Sequence, residues 1–350
     1  MNVVITGSSG LIGSEAVEYY AGIGCDVIGI DNNMREKFFG SSGSTIWNRD
    51  RLLNKFSNFK SYDFDIRDNE KVSKLFKDVK PDLVIHSAAQ PSHDLAARMV
   101  VEDFTINANG TLTLLEAFRN HCPSSVFIHI STNKVYGDNP NKIEMKELEL
   151  RYDYKDKIYE NGIPESLSID DCTHSFFGVS KAAGDLLAQE FGRYFDLNVG
   201  IFRGGCLTGP VHSSVELHGF LSYLVKCIVN QKPYTIFGYK GKQVRDQIHS
   251  KDVILAFESF RQNPRKGEVY NIGGGKNNSI SILESIKIIS EITGNEFKPD
   301  YAETNRIGDH ICYYSDLSKL KSHFPQWDIS EPLIDMINEM IEFESQKLPV

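Results

Sequence analysis

Three glycines near the N-terminus stand three residues apart and directly follow an apolar run. The run, residues 3–6, ends at Gly7, and Gly10 and Gly13 follow at the start of a helix-like stretch. In a turn from a strand to a helix, glycines let the backbone approach a diphosphate, and the first N–H groups of the helix point at the phosphates. The spacing therefore predicts a cradle for the diphosphate of a dinucleotide.

Glycines after a strand are also ordinary turn residues, so a second feature has to support this interpretation. Another strand-like run, residues 26–30, ends at Asp31, which lies 18 residues beyond Gly13. An acid at an offset of about 20 residues binds the adenosine ribose in dinucleotide-binding proteins. A carboxylate there repels a 2′-phosphate and favours NAD over NADP, although Arg35 lies near enough to keep NADP as an alternative.

The composition narrows the class of protein. A chain of 350 residues with 41% hydrophobic residues can bury a substantial core, and its net charge of −9 disfavours nucleic acid as a partner. The six cysteines are scattered without close pairs, which suggests neither a zinc site nor disulfides, and we expect no bound metal. No apolar run approaches the roughly 18 residues of a membrane span, and the chain begins with a core strand. We therefore expect a cytoplasmic protein with no membrane partner.

The first half of the chain alternates between strand-like and helix-like runs, which is typical of an α/β fold with a doubly wound, Rossmann-type parallel sheet. Apolar runs without alternation are expected where both faces of such a sheet are covered. The predicted strands are near residues 2–6, 26–30, 59–63, 83–87 and 126–131, and the predicted helices near 11–21, 69–78, 95–99 and 104–121.

The second half follows a looser pattern. Residues 139–172 are polar and irregular, which predicts a loop or lid over a substrate. A helix near 178–194 and a strand near 199–203 follow, and then a helix-like run, a hairpin-like piece and two more helices, near 216–230, 234–249, 280–293 and 332–343. We expect a dinucleotide-binding domain over 1–205 and a smaller α/β substrate domain over 206–350, some of whose strands return to the first.

Four further segments carry residues suited to chemistry. They are Ser-Thr-Asn-Lys-Val-Tyr-Gly-Asp at 131–138, His-Ser-Phe-Phe-Gly-Val-Ser-Lys at 174–181, Gly-Lys-Gln-Val-Arg-Asp at 241–246 and Tyr-Asn-Ile-Gly-Gly at 270–274. Together with the glycine turn and Asp31, they resemble the extended short-chain dehydrogenase/reductase family of nucleotide-sugar epimerases and dehydratases. Within that family they are most similar to the 2-epimerases of CDP-paratose and CDP-tyvelose.

The resemblance implies NAD as the cofactor and a set of residues that contact it. Asp65 and Ile66 would border the adenine, and Asn107 would brace the strand ends. Simpler explanations also exist. Ala88 and Ala89, a pair of small residues after a strand, also serve close packing, and His86 is better explained as a core histidine than as a catalyst. The implied cofactor contacts are Gly7, Gly10, Leu11, Ile12, Gly13, Asp31, Asn32, Asp65, Ile66, Ala88, Ala89, Gln90, Asn107, Ser131 and Lys181.

The resemblance also implies roles at the reacting sugar. Thr132 occupies the position of the hydroxyl that hydrogen-bonds the sugar oxygen, and Lys181 that of the lysine that binds the nicotinamide ribose. A lysine on a helix is otherwise a solvated charge. The implied substrate contacts are Gln90, Thr132, Asn133, Arg245 and Arg306.

Arg245 and Arg306 match two arginines that clamp the diphosphate in the family, since planar guanidinium groups bind phosphates through two hydrogen bonds. The alternative is a pair of surface salt bridges, Arg245 with Asp246 and Arg306 with Asp309.

One residue departs from the family pattern. Phe177 stands four residues before Lys181, where the family has the tyrosine that takes the proton from the sugar hydroxyl. Phenylalanine has no ionisable group, so the usual general base is absent. Four explanations are open: an engineered substitution, a natural branch in which another group takes the proton, a binding protein without catalysis, or a shifted alignment, against which Phe176 argues. Candidate replacement bases are Lys134 and Tyr136, and then His93, His174 and Glu165.

These features predict an NAD-dependent isomerase, a nucleotide-sugar epimerase that oxidises a sugar carbinol and returns the hydride. The partner is a nucleotide-diphosphate sugar, CDP-linked in preference to UDP-linked. Asn133 and Lys134 replace the Asp-Glu pair of the sugar 4,6-dehydratases, which disfavours dehydration. The alternatives are a UDP-sugar 4-epimerase and a catalytically silent NAD or nucleotide-sugar binding protein. By resemblance we also expect a homodimer or homotetramer that associates through helices near 104–121 and 178–194.

Overall fold

The computed structural model describes residues 1–213, 215, 219–305 and 308–346, apart from the side chain of His93. Two compact units divide the chain. Unit 1 comprises Met1–Val135, Ser175–Gly204 and Val253–Tyr270, and unit 2 comprises Tyr136–His174, Gly205–Asp252 and Asn271–Val350. This division differs from the expected 1–205 and 206–350 in two segments, because residues 136–174 belong to unit 2 and residues 253–270 return to unit 1.

The strands and helices are numbered in chain order over the described residues. The strands are β1 (Asn2–Thr6), β2 (Asp26–Ile30), β3 (Phe59–Tyr62), β4 (Leu83–His86), β5 (Val126–Thr132), β6 (Met145–Glu147), β7 (Tyr152–Tyr154), β8 (Asn198–Gly204), β9 (Cys206–Thr208), β10 (Thr235–Phe237), β11 (Val244–His249), β12 (Lys266–Ile272), β13 (Ser279–Ser281), β14 (Asp300–Ala302) and β15 (Cys312–Tyr313). The helices are α1 (Leu11–Gly22), α2 (Met34–Phe39), α3 (Ile46–Lys55), α4 (Asn69–Val79), α5 (His93–Ala96), α6 (Val100–Phe104), α7 (Gly110–His121), α8 (Ser175–Tyr194), α9 (Phe220–Val229), α10 (Ser250–Gln262), α11 (Ile282–Thr293), α12 (Ser318–His323) and α13 (Leu333–Ser345).

A seven-stranded sheet with the order β12-β8-β5-β4-β1-β2-β3 forms the centre of unit 1. The pairings of β1 with β2 and β4, of β2 with β3, and of β5 with β4 and β8 are parallel. Strand β4 is buried along its whole length, as expected for a strand covered on both faces. The strand order reverses between β1 and β4, and ligands of such sheets bind at the carboxyl ends of the strands there.

The α/β sheet predicted from the sequence is confirmed. The five strands predicted in the first half agree with β1 to β5 within one residue at each end. The helix predicted over 104–121 is interrupted, because Thr105–Asn109 is a π-helical segment between α6 and α7. We predicted no helix at α3, in which only Asn48 and Leu52 are buried. Such a narrow apolar face leaves little periodic signal in the sequence.

Unit 2 contains smaller sheets. Strand β11 pairs antiparallel with β13 and parallel with β9 and β15, whereas β10 pairs with β14. The predicted hairpin over 234–249 is therefore wrong: β10 and β11 each pair with distant segments. The segment predicted to be irregular, 139–172, contains the antiparallel pair β6 and β7. Of the helix predicted over 216–230, the described part is α9, and residues 216–218 lie outside the described residues.

Local sequence signals explain several boundaries. Helix α4 begins after Asp68, whose carboxylate accepts the Lys71 N–H as an N-cap. Helix α11 begins with a capping box between Ser281 and Glu284, and Gly294 ends it in the left-handed conformation. All six cysteines, each among the described residues, are free thiols. Within the described part of the chain, none of the helices is both long and apolar enough to cross a bilayer.

A close backbone approach fixes helix α8 in unit 1. A Cβ atom added to Gly192 would lie 2.2 Å from the Gly267 backbone nitrogen, whereas one added to Gly22, at the end of α1, would meet no heavy atom within 4 Å. We expect Gly192→Ala to lower the free energy of unfolding by about 1–3 kcal/mol, the usual cost of overpacking. The matched Gly22→Ala variant should be neutral or slightly stabilising. Urea unfolding of both variants measures the difference, and equal midpoints would contradict this packing.

Candidate active site

The turn between β1 and α1 contains three glycines. At two of them the backbone leaves no room for a side chain, and at the third there is open space. Gly7 has a positive φ of 68°, and a Cβ atom there would lie 2.8 Å from the Ala88 backbone nitrogen. At Gly13 a Cβ atom would lie 2.0 Å from the Gly7 oxygen. A Cβ atom on Gly10 would meet only the Gly7 oxygen, at 3.4 Å. The fold itself therefore needs Gly7 and Gly13, whereas Gly10 leaves space in front of the turn.

The N-terminus of α1 lies at this open position. Gly10 is the N-cap residue and no side chain caps the helix, which begins at Leu11 and Ile12. The first N–H groups of a helix have no partner within the helix, and its positive end attracts anions. An uncapped helix start behind a glycine without a neighbouring side chain fits the diphosphate of a dinucleotide.

Asp31, at the end of β2, is held against the same turn. Its carboxylate accepts the Ser9 N–H at 2.9 Å on Oδ2 and the Asn33 N–H at 2.9 Å on Oδ1. These bonds fix its orientation while each oxygen keeps capacity for a further donor such as a ribose hydroxyl. Asn32 is half-buried beside it, and the Arg35 guanidinium lies 5.0 Å from the Phe39 ring centroid.

The residues predicted to border the adenine follow β3. Burial raises the pKa of the Asp65 carboxyl, but the Arg67 hydrogen bonds and charge outweigh it, so the net pKa is below the usual value. The Ile66 side chain packs against Gly110: a Cβ atom added to Gly110 would lie 2.5 Å from the Ile66 Cδ1 atom. Ala88 donates its N–H to Thr6 Oγ1 at 3.2 Å, and Ala89 is half-buried.

Gln90 does not present its side chain to a ligand. The side chain is fully buried, and its amide donates to the Ser92 carbonyl at 2.7 Å and to Asp103 Oδ1 at 2.8 Å. Its oxygen accepts the Ser92 N–H at 2.6 Å. These internal bonds engage both side-chain donors of Gln90 and its oxygen, and its predicted contact with cofactor or substrate stays a prediction.

Asn107 braces the end of β4, as expected. Its Oδ1 atom accepts the Gln90 N–H, and its Nδ2 atom donates to the Gln90 carbonyl, Asp103 Oδ1 and Ser180 Oγ over 3.0 to 3.1 Å. Asn107 lies in the π-helical segment, and its hydrogen bonds to Gln90 and Ser180 connect the loop after β4 to helix α8.

Asp103 is a buried carboxylate that the sequence analysis missed. It is 1% exposed, and its Oδ2 atom has no hydrogen-bond partner among the described residues. Burial raises the pKa of this carboxyl, while the hydrogen bond from Gln90 and the Lys181 charge oppose the shift. The available signal was its spacing of four residues from Asn107, which places both on one face of a helix.

His86 is a buried histidine with both ring nitrogens paired. Thr111 Oγ1 donates to the Asn107 carbonyl at 2.6 Å, so it accepts from His86 Nε2 at 2.9 Å, and Thr6 Oγ1 donates to Nδ1 at 2.8 Å. Burial, and then the Lys181 charge, lower the pKa of His86 to about 3. This agrees with the interpretation of His86 as a core histidine.

Ser131 points into the protein. Its hydroxyl donates to Asp185 Oδ2 at 2.6 Å, and Asp185 forms a buried ion pair with Arg203 through Nε at 3.0 Å and a terminal nitrogen at 2.9 Å. The Ser131 side chain therefore forms a structural bond between β5 and α8, and the predicted contact of Ser131 with the cofactor stays a prediction.

Thr132 is half-buried at the end of β5, and its Oγ1 atom accepts the Lys134 N–H at 3.2 Å. The Asn133 side chain beside it is buried, and Lys134 is half-buried. Among residues 132–134, Thr132 is therefore the one whose hydroxyl lies at the end of the central sheet.

Lys181 is buried in unit 1 and is not a solvated charge. It is 5% exposed, and its Nζ atom donates to the Ile130 carbonyl of β5 at 2.6 Å. Burial lowers the pKa of Lys181 to about 8, although the charges of Asp185 and Asp103 act in the opposite direction. Phe177 stands one helical turn earlier on α8 and is also buried.

Of the remaining candidate bases, Tyr136, Glu165 and His174 lie in unit 2, whereas His93 belongs to unit 1 and its side chain lies outside the described part of the structure. Tyr136 is fully buried and its hydroxyl donates to Asn271 Oδ1 at 2.8 Å, and its role as a replacement base stays a prediction. Glu165 accepts the Asn271 N–H at 2.7 Å, and burial raises the pKa of its carboxyl. Both ring nitrogens of His174 lie 3.6 Å from Cys172 Sγ.

Arg245 in β11 is buried and paired. It donates to Asp309 Oδ1 at 2.5 Å and to the Val244 carbonyl at 2.6 Å. The alternative of a pair with Asp246 is wrong, because the Asp246 carboxylate accepts the Ser315 and Gly275 N–H groups. Burial raises the pKa of Asp246 to about 6. Arg306 lies outside the described residues.

Comparison with known proteins identifies the class that this fold and these residues define. The family model described as "NAD dependent epimerase/dehydratase family" matches residues 3–273, and the chain belongs to this family, as the motifs predicted. NAD, the cofactor predicted from the sequence, is the one that the family's description names.

Particular relatives are similar along nearly the whole chain. CDP-paratose 2-epimerase of Salmonella typhi is 32% identical over 99% of both proteins, and dTDP-glucose 4,6-dehydratase 1 of Escherichia coli K12 is 28% identical over 85% of this chain and 79% of that protein. The structure of UDP-glucuronic acid 4-epimerase from Bacillus cereus in complex with UDP-glucuronic acid and NAD is 26% identical, with a TM-score of 0.80 over 99% of both chains.

The open space at Gly10 yields a test of the cradle. We expect Gly10→Ala to leave the free energy of unfolding within about 0.5 kcal/mol of the wild-type value, because its Cβ atom meets only one neighbour. It should weaken NAD binding about tenfold or more, since the methyl group holds the phosphates off the backbone. Calorimetric titration with NAD measures the affinity, and Gly22→Ala on the same helix is the control. Unchanged NAD affinity in Gly10→Ala would exclude this turn as the diphosphate site.

Proposed function

We propose that this protein is an NAD-dependent epimerase of a nucleotide-diphosphate sugar, and that it inverts C2 of a CDP-linked hexose. The observation that carries the proposal is the arrangement in unit 1 of a diphosphate cradle together with Thr132 on β5 and the buried Lys181 of α8, whose amine donates to the Ile130 carbonyl of β5. The full-length similarity to CDP-paratose 2-epimerase supports the CDP-linked sugar. We further propose a cytoplasmic location, which the six free thiols favour.

The chemistry of C2 explains the need for a redox cofactor. Its C–H bond has no neighbouring carbonyl group, so direct removal of that hydrogen as a proton is implausible. When bound, NAD supplies the acceptor and donor of a hydride. Thr132 would hydrogen-bond the sugar oxygen, and Lys181 would bind the nicotinamide ribose. Because oxidation and reduction balance, NAD should remain bound through many turnovers.

The identities of two further residues disfavour dehydration. Water elimination needs an acid and a base beside the sugar, whereas positions 133 and 134 carry an amide and a lysine. The chain is nevertheless 28% identical to a dTDP-glucose 4,6-dehydratase, so the general similarity alone does not separate the two activities. The local chemistry at Asn133 and Lys134 is what favours epimerisation.

We assign the substrate diphosphate to Arg245 and Arg306. The Arg245 guanidinium donates to Asp309, and a bound diphosphate would share or displace that carboxylate. A guanidinium held by one carboxylate oxygen keeps further N–H donors for a phosphate.

Two alternatives rest on specific observations. A UDP-sugar 4-epimerase is supported by the structural similarity to UDP-glucuronic acid 4-epimerase. A silent NAD or nucleotide-sugar binding protein is supported by Phe177, which removes the family's phenolic base. Substrate tests with both nucleotides separate the first alternative from the proposal, and transient reduction of bound NAD separates the second.

The function is tested with purified protein. Denaturation should release NAD, and NMR should show conversion of CDP-paratose in preference to UDP-glucose or UDP-glucuronic acid. We expect Phe177→Tyr to convert the same sugar and to change the pH dependence, because a phenol is added one turn before Lys181. The matched Phe176→Tyr variant, which places the phenol on the preceding residue, should leave that dependence unchanged. Absence of both a released dinucleotide and any binding of these sugars by the wild type and Phe177→Tyr would refute the epimerase.

We propose that two copies associate through helices α7 and α8 of unit 1, as a homodimer or as half of a homotetramer. Val179 and Leu186 stand seven residues apart on α8, on one face, and are 48% and 47% exposed. Leu112 on α7 and Val101 on α6 are further exposed apolar residues of unit 1. Exposed apolar residues on neighbouring helices are typical of an interface between subunits.

The association is tested by changing one exposed residue of α8. Leu186→Glu should convert the assembly to a species of 39.5 kDa, because a carboxylate would be buried in the interface. Ile23→Glu, which changes an exposed apolar residue after α1, is the control and should not alter the mass. Analytical ultracentrifugation gives both masses. A wild-type protein that sediments at the monomer mass would refute the association.

A further inference from the structure

The amine of Lys181 occupies an unusual environment for a lysine. It is buried between α8 and β5, and its hydrogen bond goes to a neutral backbone carbonyl, that of Ile130. None of the ion pairs among the described residues includes Lys181. A buried ammonium that has lost water without gaining a carboxylate partner is easily deprotonated. The Ile130 carbonyl lies two residues before Thr132, so the amine stands near the end of the strand that carries Thr132.

The ionisable groups around Lys181 divide into neutral and negative ones. His86 on β4 and His129 on β5 are held neutral, because burial lowers the pKa of both imidazoles. Asp185 on α8 and Asp103 on α6 carry the negative charges that favour the protonated amine. Asp185 is already neutralised by Arg203, at 2.9 Å, whereas the Oδ2 atom of Asp103 has no partner among the described residues.

The hydrogen bonds of Asp103 connect it to the turn that carries Lys181. Asn107 donates to both Asp103 Oδ1 and Ser180 Oγ, and Ser180, the residue before Lys181, donates to the Phe177 carbonyl at 3.1 Å. The carboxylate therefore cannot move away from α8 without breaking these bonds. Asp103 is a fixed negative charge beside a lysine that has no ion-pair partner of its own.

We propose that the Lys181 amine is the catalytic base that accepts the carbinol proton in this protein, and that Asp103 is a positioning residue whose fixed charge sets the protonation state of that amine. The inference rests on the proposed function and assigns the proton that Phe177 cannot take. It needs no phenol, because the amine itself is the titrating group at the sheet edge.

The proton and electron balance is complete with the cofactor already proposed. In the forward half-reaction the carbinol O–H bond breaks and a new N–H bond forms on the neutral Lys181 amine. The C2–H bond breaks as a hydride that reduces NAD⁺, and the carbon–oxygen bond becomes a carbonyl. In the return half-reaction the Lys181 ammonium gives the proton back to the oxygen as the hydride returns to the other face.

Lys181→Arg separates a base from a mere cation. Arginine keeps the positive charge and hydrogen-bond donors but stays protonated, so it cannot accept the proton. We expect Lys181→Arg to retain NAD, measured as bound dinucleotide, and to lose sugar oxidation about 100-fold or more, the usual contribution of a general base. Lys181→Met should lose both the bound NAD and the oxidation of the sugar. If Lys181→Arg keeps substantial activity, or if Lys134→Arg abolishes it and Lys181→Arg does not, the proposal is overturned.

A direct titration provides a readout that does not depend on activity. In protein labelled with 13C at the lysine ε-carbon, the signal that disappears in Lys181→Met reports the protonation of Lys181. We expect its midpoint to lie well below that of the other lysines. In Asp103→Asn the midpoint should fall further, by about 1 pH unit, because a nearby negative charge is removed. The rising limb of the oxidation rate should move to lower pH by the same amount.

The control is Glu102→Gln, which removes the neighbouring acid of α6, whose carboxylate pairs with Lys37 at 3.1 Å. It should leave the Lys181 midpoint unchanged. A Lys181 signal that titrates with the exposed lysines, or an Asp103→Asn variant with an unmoved midpoint, would refute the assignment. Neither result depends on which sugar is converted, so failure of the base and failure of the epimerase are distinguishable.

Discussion

The approach of helix α1 to the end of strand β1 is the constraint on which the candidate cofactor site depends. Gly13 lies so close to the Gly7 carbonyl that no side chain fits, and Gly7 is equally close to the backbone of Ala88. This contact brings the helix N-terminus to the edge of the sheet, next to the end of β2 with Asp31. Overpacking of such a contact costs about 1–3 kcal/mol, comparable to a large part of a domain's net stability. The fold therefore requires Gly7 and Gly13, whereas Gly10 leaves the space that the proposed cofactor site needs.

Buried polar networks engage the side chains of two residues that were predicted to contact ligands. Gln90 follows β4 and Ser131 lies near the end of β5, where ligand contacts are expected, yet their side chains bond to internal partners. The loops at this edge are largely buried, and a buried polar group that lacks a partner costs more than an exposed one. These side chains fix the loop after β4 and helix α8.

The sequence predicted what depends on local pattern. The apolar runs gave β1 to β5, and the glycine spacing gave the turn before α1. The pairing of β11 with β9, β13 and β15 was not predictable, because periodicity does not specify a distant partner. Asp103 was missed for a similar reason: an acid on a short helix is normally exposed, and only the folded chain shows that it is buried against Asn107.

Phe177 bears on the proposed role of the buried Lys181 as the catalytic base. A phenol one turn before Lys181 would share a proton with the amine, and the two groups would titrate as a coupled pair. A phenyl ring at that position adds apolar surface beside the amine, which disfavours the charged form. If Lys181 is the base, as proposed, phenylalanine in place of the family's tyrosine removes one base and at the same time makes the remaining amine easier to deprotonate. In that assignment the fixed charge of Asp103 limits the effect, because without it the amine would be a weaker base and would take the sugar proton less readily.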